Sequence, residues 1–181
     1  MKFYNSYGQP KPERPDPKPL KGQTSIAFQG MTLKSVPEST MAWGQVTSEG
    51  HASNPLLKKF VTGKDLNTHP RQDSNRWVID EEIAYRWYRP GLRKALKSLS
   101  SCLVCSKRCK HLVFSFQPTD KIYSQNCVVF PAEGFLDFTI LQSRVHEIWA
   151  RSLCSTPGNS LIYTQTNCVE NFPLSKKGQP Q

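Results

Sequence analysis

Apolar residues are sparse at both ends of the chain and crowd into short runs between them, so the elements can be read from where those runs fall and how they repeat. Thr24 to Thr32 carries Ile26, Ala27 and Phe28 ahead of Gly30 and predicts a short strand ending in a turn. Residues 33–55 are weakly patterned. After Asn54-Pro55, the spacing of Leu56, Leu57, Phe60 and Val61 predicts a short amphipathic turn of helix, followed by a polar loop over Thr62 to Asn75 and a compact strand at Trp77-Val78-Ile79. Pro90 suits the first turn of a helix running to Leu99, with Leu92, Leu96 and Leu99 on one face and Arg93, Lys94 and Lys97 elsewhere. Three β-branched or aromatic runs follow, Cys102 to Cys105, Leu112 to Phe116 and Asn126 to Phe130, with a turn at Gln117-Pro118-Thr119-Asp120, and they read as neighbouring antiparallel strands. Phe138, Leu141, Val145, Ile148 and Trp149 recur at helical spacing, predicting a long helix over Phe135 to Leu153 that Pro157-Gly158 stops, before a last strand at Leu161 to Thr164. The class is therefore α+β: a small mixed or antiparallel sheet, one long C-terminal helix and a shorter basic helix. No internal repeat is visible.

Composition narrows this to one core. With 181 residues and 37% hydrophobic content the chain can bury a single domain. Pro10, Pro12, Pro15, Pro17 and Pro19 alternate with polar and charged residues, so residues 1–22 are expected to be an extended linker, 23–173 the domain and 174–181 a polar tail. No apolar run approaches the ~18 residues of a membrane span. The start, Lys2-Phe3-Tyr4-Asn5, lacks the apolar stretch of a secretion signal. A cytoplasmic location with reduced thiols and no membrane partner is the expectation.

Charge supplies the functional lead. The formal charge is +10, which points to an anionic partner. Between Ile83 and Thr119 stand eight Lys and Arg and no Asp or Glu, interleaved with Tyr85, Trp87, Tyr88, Phe114 and Phe116. Mixed signs are the norm on a solvated face, so an acid-free run of this length favours phosphate contact over mere solvation. The same window offers a rival, because Cys102, Cys105, Cys109 and His111 have the residue types of a metal knuckle. Leu103-Val104 between the first two thiols reads as strand interior, however, and alternation along a strand sends Cys102 and Cys105 to opposite faces. No metal is expected. His146-Glu147 lacks the second histidine of a zinc-protease helix, with Ala150 in its place, and Asn54-Pro55-Leu56-Leu57 lacks the second proline and aromatic of a base-flipping methyltransferase loop. The chain carries no catalytic motif.

Leu141-Gln142-Ser143-Arg144-Val145-His146-Glu147-Ile148-Trp149-Ala150-Arg151, then Leu161-Ile162-Tyr163-Thr164 and Cys168-Val169-Glu170-Asn171-Phe172-Pro173, closely resemble the target-recognition region of MmeI-like DNA methyltransferases. Upstream, Ser25 to Gly30, Gly63 to Asn67, Arg76 to Asp80, Arg89-Pro90, Ser106 and Lys110-His111-Leu112 occur in the order that family would have them. The resemblance covers most of residues 17–173. It implies a DNA target-recognition module of a site-specific adenine-N6 methyltransferase of a restriction-modification system, with the S-adenosylmethionine site on a separate catalytic domain. It also implies a fragment with an internal deletion near 80–84, where Asp80 runs straight into Glu81-Glu82-Ile83, and a methyltransferase catalytic subunit as a partner. For such a module Arg86, Arg89, Arg93, Lys94, Lys97, Lys107, Arg108 and Lys110 are the candidates for contact with the backbone of double-stranded DNA, and Gln29, Lys64, Asn67 and Arg71 for base readout. A small metal-binding protein and a remnant without function are the alternatives.

Overall fold

Ser101–Ser106, with sequence Ser-Cys-Leu-Val-Cys-Ser, has five of its six residues buried and forms the central strand, β4, of a computed structural model that describes residues 26–31, 57–79 and 89–174. A strand apolar on both faces must be covered on both, and the neighbouring runs supply the cover. Antiparallel partners flank β4: β6 (Phe114–Pro118) sets Leu103 opposite Phe116 and Cys105 opposite Phe114, while β8 (Cys127–Phe130) sets Leu103 opposite Phe130. On the far side of β8 lies β1 (Phe28–Gln29), so the sheet order is β1-β8-β4-β6. A second, three-stranded sheet has β2 (Leu57–Val61) between antiparallel β3 (Trp77–Ile79) and parallel β7 (Ile122–Tyr123). A third pairs β5 (Arg108–Cys109) with β9 (Leu161–Ile162).

Strand alternation divides the core in two. Cys102 and Val104 of β4, with Cys127 and Val129 of β8, face Leu66 of helix α1 (Gly63–Thr68) and Leu92 of helix α2 (Pro90–Leu96). Leu103, Cys105, Val128 and Phe130 face the other way, onto Leu141 of helix α3 (Phe135–Gln142), Ala150 of helix α4 (Arg144–Leu153) and Phe172 beyond a π-helical turn at Gln165–Val169. The two short helices thus share one side of the main sheet, and the two C-terminal helices cover the opposite side.

Three local expectations are corrected. Leu57–Val61 is a strand and not a turn of helix, because it is held between two partners, with Lys59 opposite Trp77 and Phe60 opposite Ile122. The polar stretch after it is not all loop: Thr62 caps α1, its main-chain N–H and hydroxyl both donating to Asp65 Oδ2 at 2.7 and 2.8 Å. The long C-terminal helix is two. Ser143 takes an extended conformation (φ −66°, ψ 151°) between them and caps the second, its Oγ accepting from the His146 N–H at 3.2 Å.

The expectation of reduced thiols meets an exception, since Cys154 and Cys168 form a disulfide. The end of α4 and the π-helical turn bring their Cα atoms to 6.5 Å, within bonding reach. Cys102, Cys105, Cys109 and Cys127 are free and buried.

Candidate nucleic-acid interface

Gly63 opens α1 against the end of β4. A Cβ there would lie 2.6 Å from Ser106 Oγ and 2.7 Å from the Asn126 carbonyl oxygen, so only glycine lets the helix approach this closely. One turn later, Asn67 Nδ2 donates to the Arg108 carbonyl at 2.9 Å and to Ser106 Oγ at 3.2 Å. The Ser106 hydroxyl donates to that same carbonyl at 2.8 Å, and the Lys107 N–H to the Asn126 carbonyl at 2.8 Å. These bonds pin the bend at residues 106–108 between α1 and the turn before β8. The result is a groove of about 510 Å³ lined by Lys64, Asn67, Thr68, Lys107, Arg108 and Asn126, among others, and by no carboxylate. Lys64 and Arg108 are exposed at its rim.

A second groove, of about 710 Å³, lies along α2, where Arg93 and Lys94 of that helix and Lys97 just past its end face Lys58, Asp120 and Lys121. Its charge is partly compensated. Asp73 accepts from Lys121 Nζ at 3.0 Å and also pairs with Lys59. Burial alone would raise the Asp73 carboxyl, but the hydrogen bonds from Lys59, Lys121 and the Ser74 main chain, with the Lys121 charge, together outweigh it and hold the group well below the usual carboxylate range. Lys59 and Lys121 are thereby engaged within the protein.

The candidates inferred from sequence fall into separate groups. Lys64, Asn67, Lys107 and Arg108 share the first groove, and Arg93, Lys94 and Lys97 the second. Gln29 and Arg89 meet each other, with Arg89 Nη2 donating to Gln29 Oε1 at 3.0 Å. Lys110 and Arg71 are exposed but line neither groove; the Lys110 carbonyl accepts from Arg151 Nη2 at 2.7 Å. Arg86 and the junction at 80–84 lie outside the described residues. Sequence reasoning assigned no role to Gly63, Ser106 or Asn126, whose contacts shape the first groove. The Thr62-Gly63-Lys64-Asp65 capping pattern was the available signal for that helix start.

The cysteine constellation is split by the sheet: Cys102 packs with Val104 and Leu92, Cys105 and Cys109 pack on the opposite face, and His111 is exposed. Burial pushes the Cys102 and Cys127 thiols up to about 12 and Cys109 to about 11, so they remain protonated near neutral pH and are poor ligands and nucleophiles. Among the described residues no three His, Cys, Asp or Glu side chains gather as a metal site would require. His146 is fully buried beside Tyr163, Nε2 to Oη 2.8 Å, and burial drives its pKa down to about 4. No helix among the described residues is long and apolar enough to cross a membrane.

The family described as "MmeI, target recognition domain" matches residues 71–176. Among solved structures, the Type IIL restriction-modification enzyme MmeI in complex with DNA matches with a TM-score of 0.51 and 16% identity, covering 99% of this chain and 25% of that one. At that identity the likeness is one of fold. The chain spans about a quarter of the length of the protein it matches. No curated protein matches the sequence.

Proposed function

The chain belongs to the MmeI target recognition domain family, and from that premise we propose that it binds double-stranded DNA as the site-reading module of a restriction-modification enzyme. The observation that carries the proposal is the carboxylate-free groove between α1 and β5, where Lys64, Lys107 and Arg108 converge from two elements around a hydrogen-bonded floor. Cations held around a fixed concavity suit the phosphate backbone, and they lose less entropy on docking than cations scattered over a surface. Arg93, Lys94 and Lys97 line the second groove and would engage further phosphates of the duplex, with Arg89, Lys110 and Arg86 as the remaining candidates from the basic window.

The finer reading is that the parent activity is adenine-N6 methylation, and that the methyl donor S-adenosylmethionine is held on a separate catalytic domain or subunit. Neither groove here suits that donor. Its sulfonium carries positive charge, which Lys64, Lys107 and Arg108, or Arg93, Lys94 and Lys97, would repel. No methyl-transfer step is therefore assigned to this chain, whose contribution is to position DNA from a cytoplasmic location.

Titrating the full chain on duplex DNA at a series of salt concentrations tests the proposal. If about five phosphates are neutralised, log affinity falls with log salt at a slope near about −4.5. A flat salt response, or no binding at low salt, refutes it.

A further inference from the structure

Arg89 enters α2 with a left-handed backbone, φ 56° and ψ 51°, immediately before Pro90. Residues with a Cβ adopt that conformation at a cost, and where they do so the surrounding contacts must hold them. One such contact is made by its side chain. Arg89 Nη2 donates to Gln29 Oε1 at 3.0 Å, and the other end of that amide, Gln29 Nε2, donates to the Gln125 carbonyl at 2.8 Å. Both ends of the Gln29 amide are therefore engaged inside the protein. That leaves it badly placed to read a base, and well placed to hold a guanidinium.

The partner of that guanidinium is neutral. Arg76 instead reaches the carboxylate of Asp65, and Arg144 and Arg151 both reach Glu147, so those forks are matched by negative charge. Arg89 is fixed by an amide that takes one N–H and leaves its charge uncompensated by Gln29. The fixing residues also adjoin the first groove: Gln125 precedes Asn126, which lines it beside Lys107 and Arg108. Phosphate-facing cations and a pre-oriented arginine thus flank one turn, the arrangement in which backbone contacts set the register and a neighbouring fork meets base edges.

We propose that Arg89 is the base-reading residue of this module, recognising a guanine through its O6 and N7 acceptors in the major groove, and that Gln29 is its positioning residue. The inference rests on the DNA-recognition reading above and assigns roles within it. A guanidinium offers two parallel N–H donors that fit those acceptors, whereas the lysines of the grooves present single point charges suited to phosphate.

The test measures binding of the full chain to a randomised duplex library and to the selected duplex with single base changes, for the native protein and for R89A, R89K, R89G and Q29A. The native chain should prefer guanine at one position by about 10- to 100-fold. R89A, R89K and R89G should lose that preference at that position alone, while Q29A should weaken it with affinity for unrelated DNA unchanged. R89G should also melt no lower than the native chain, because glycine accepts the left-handed backbone; that result separates a reading role from a structural one. The proposal is overturned if R89A weakens all sequences alike and reduces the salt slope by about one, which marks a phosphate contact, or if R89K retains the preference. Absence of DNA binding by the native chain would instead overturn the underlying reading, and this assignment with it.

Discussion

Replacing Gly63 by alanine would set a methyl carbon 2.6 Å from Ser106 Oγ and 2.7 Å from the main-chain oxygen of Asn126. Carbon–oxygen contacts that short are strongly repulsive, and the two obstacles differ in kind. The Ser106 hydroxyl can rotate away, but only by giving up its 2.8 Å bond to the Arg108 carbonyl, a loss of about 1 kcal/mol. The Asn126 oxygen is backbone, and it already accepts from the Lys107 N–H at 2.8 Å, so moving it disturbs the bend that carries Lys107 and Arg108. Overpacking of this sort costs about 1–3 kcal/mol, against which alanine returns at most about 1 kcal/mol of helix propensity. G63A should therefore be destabilised by about 1–2 kcal/mol in urea unfolding with an unchanged m-value, and its DNA affinity should fall because the groove opens. G63A/S106A removes the flexible obstacle and leaves the backbone one, so it should recover only part of the loss. A G63A chain as stable as the native one, with unaltered DNA affinity, would refute the account of how this groove is built.

Replacing Lys64 and Arg108 together by alanine should reduce the salt slope by about two and weaken binding to all sequences alike, whereas a sequence-selective loss would contradict a phosphate role. Burial lowers the pKa of His146 from 6.5 to about 4, so the unfolded chain binds a proton over a range where the folded chain does not. The stability this represents is fully present above about pH 6.5 and is lost as pH falls toward 4. At about 1.4 kcal/mol per pH unit it amounts to about 3 kcal/mol, and H146Q should flatten the stability profile in that window; an equally steep profile would count against it. The four free cysteines should resist Ellman's reagent in the folded chain and react on unfolding, and prompt labelling of any one would contradict its burial. Reducing the Cys154–Cys168 bond, which spans 14 residues, should cost about 3 kcal/mol of stability, read as a lower urea midpoint.

The parts of this fold legible in sequence are those whose signal is local. β4 and β8 stand out because Cys-Leu-Val-Cys and Cys-Val-Val-Phe are continuous apolar runs suited to sheet interior, and the alternating Phe-Ser-Phe marks β6 at the sheet edge. β2 was misleading for a physical reason: Leu57, Phe60 and Val61 stand at i, i+3 and i+4, which is also the signature of a helical face. Its conformation is decided by pairing with residues far along the chain, Leu57 with Ile79 and Phe60 with Ile122, and no local pattern records that. The break at Ser143 had a readable signal in a serine placed to cap the helix after it, but the apolar spacing of Leu141, Val145 and Ile148 carries smoothly across the break and hides it.

The same distinction governs the site. That the chain is basic, and where its acid-free window lies, is a matter of composition; which cations act together is a matter of long-range hydrogen bonds. Asn67 reaches the Arg108 carbonyl across 41 residues, and that bond sets Lys64 beside Lys107 and Arg108. Gln29 reaches Arg89 across 60. Both residues were candidates for base readout, and in the fold each amide makes hydrogen bonds within the protein. Asn67 braces the bend that carries Lys107 and Arg108, and Gln29 holds an arginine. Leu66 of α1 and Leu92 of α2 pack on one face of the main sheet, and the first groove joins Lys107 and Arg108 of the basic window to Lys64, which lies outside it.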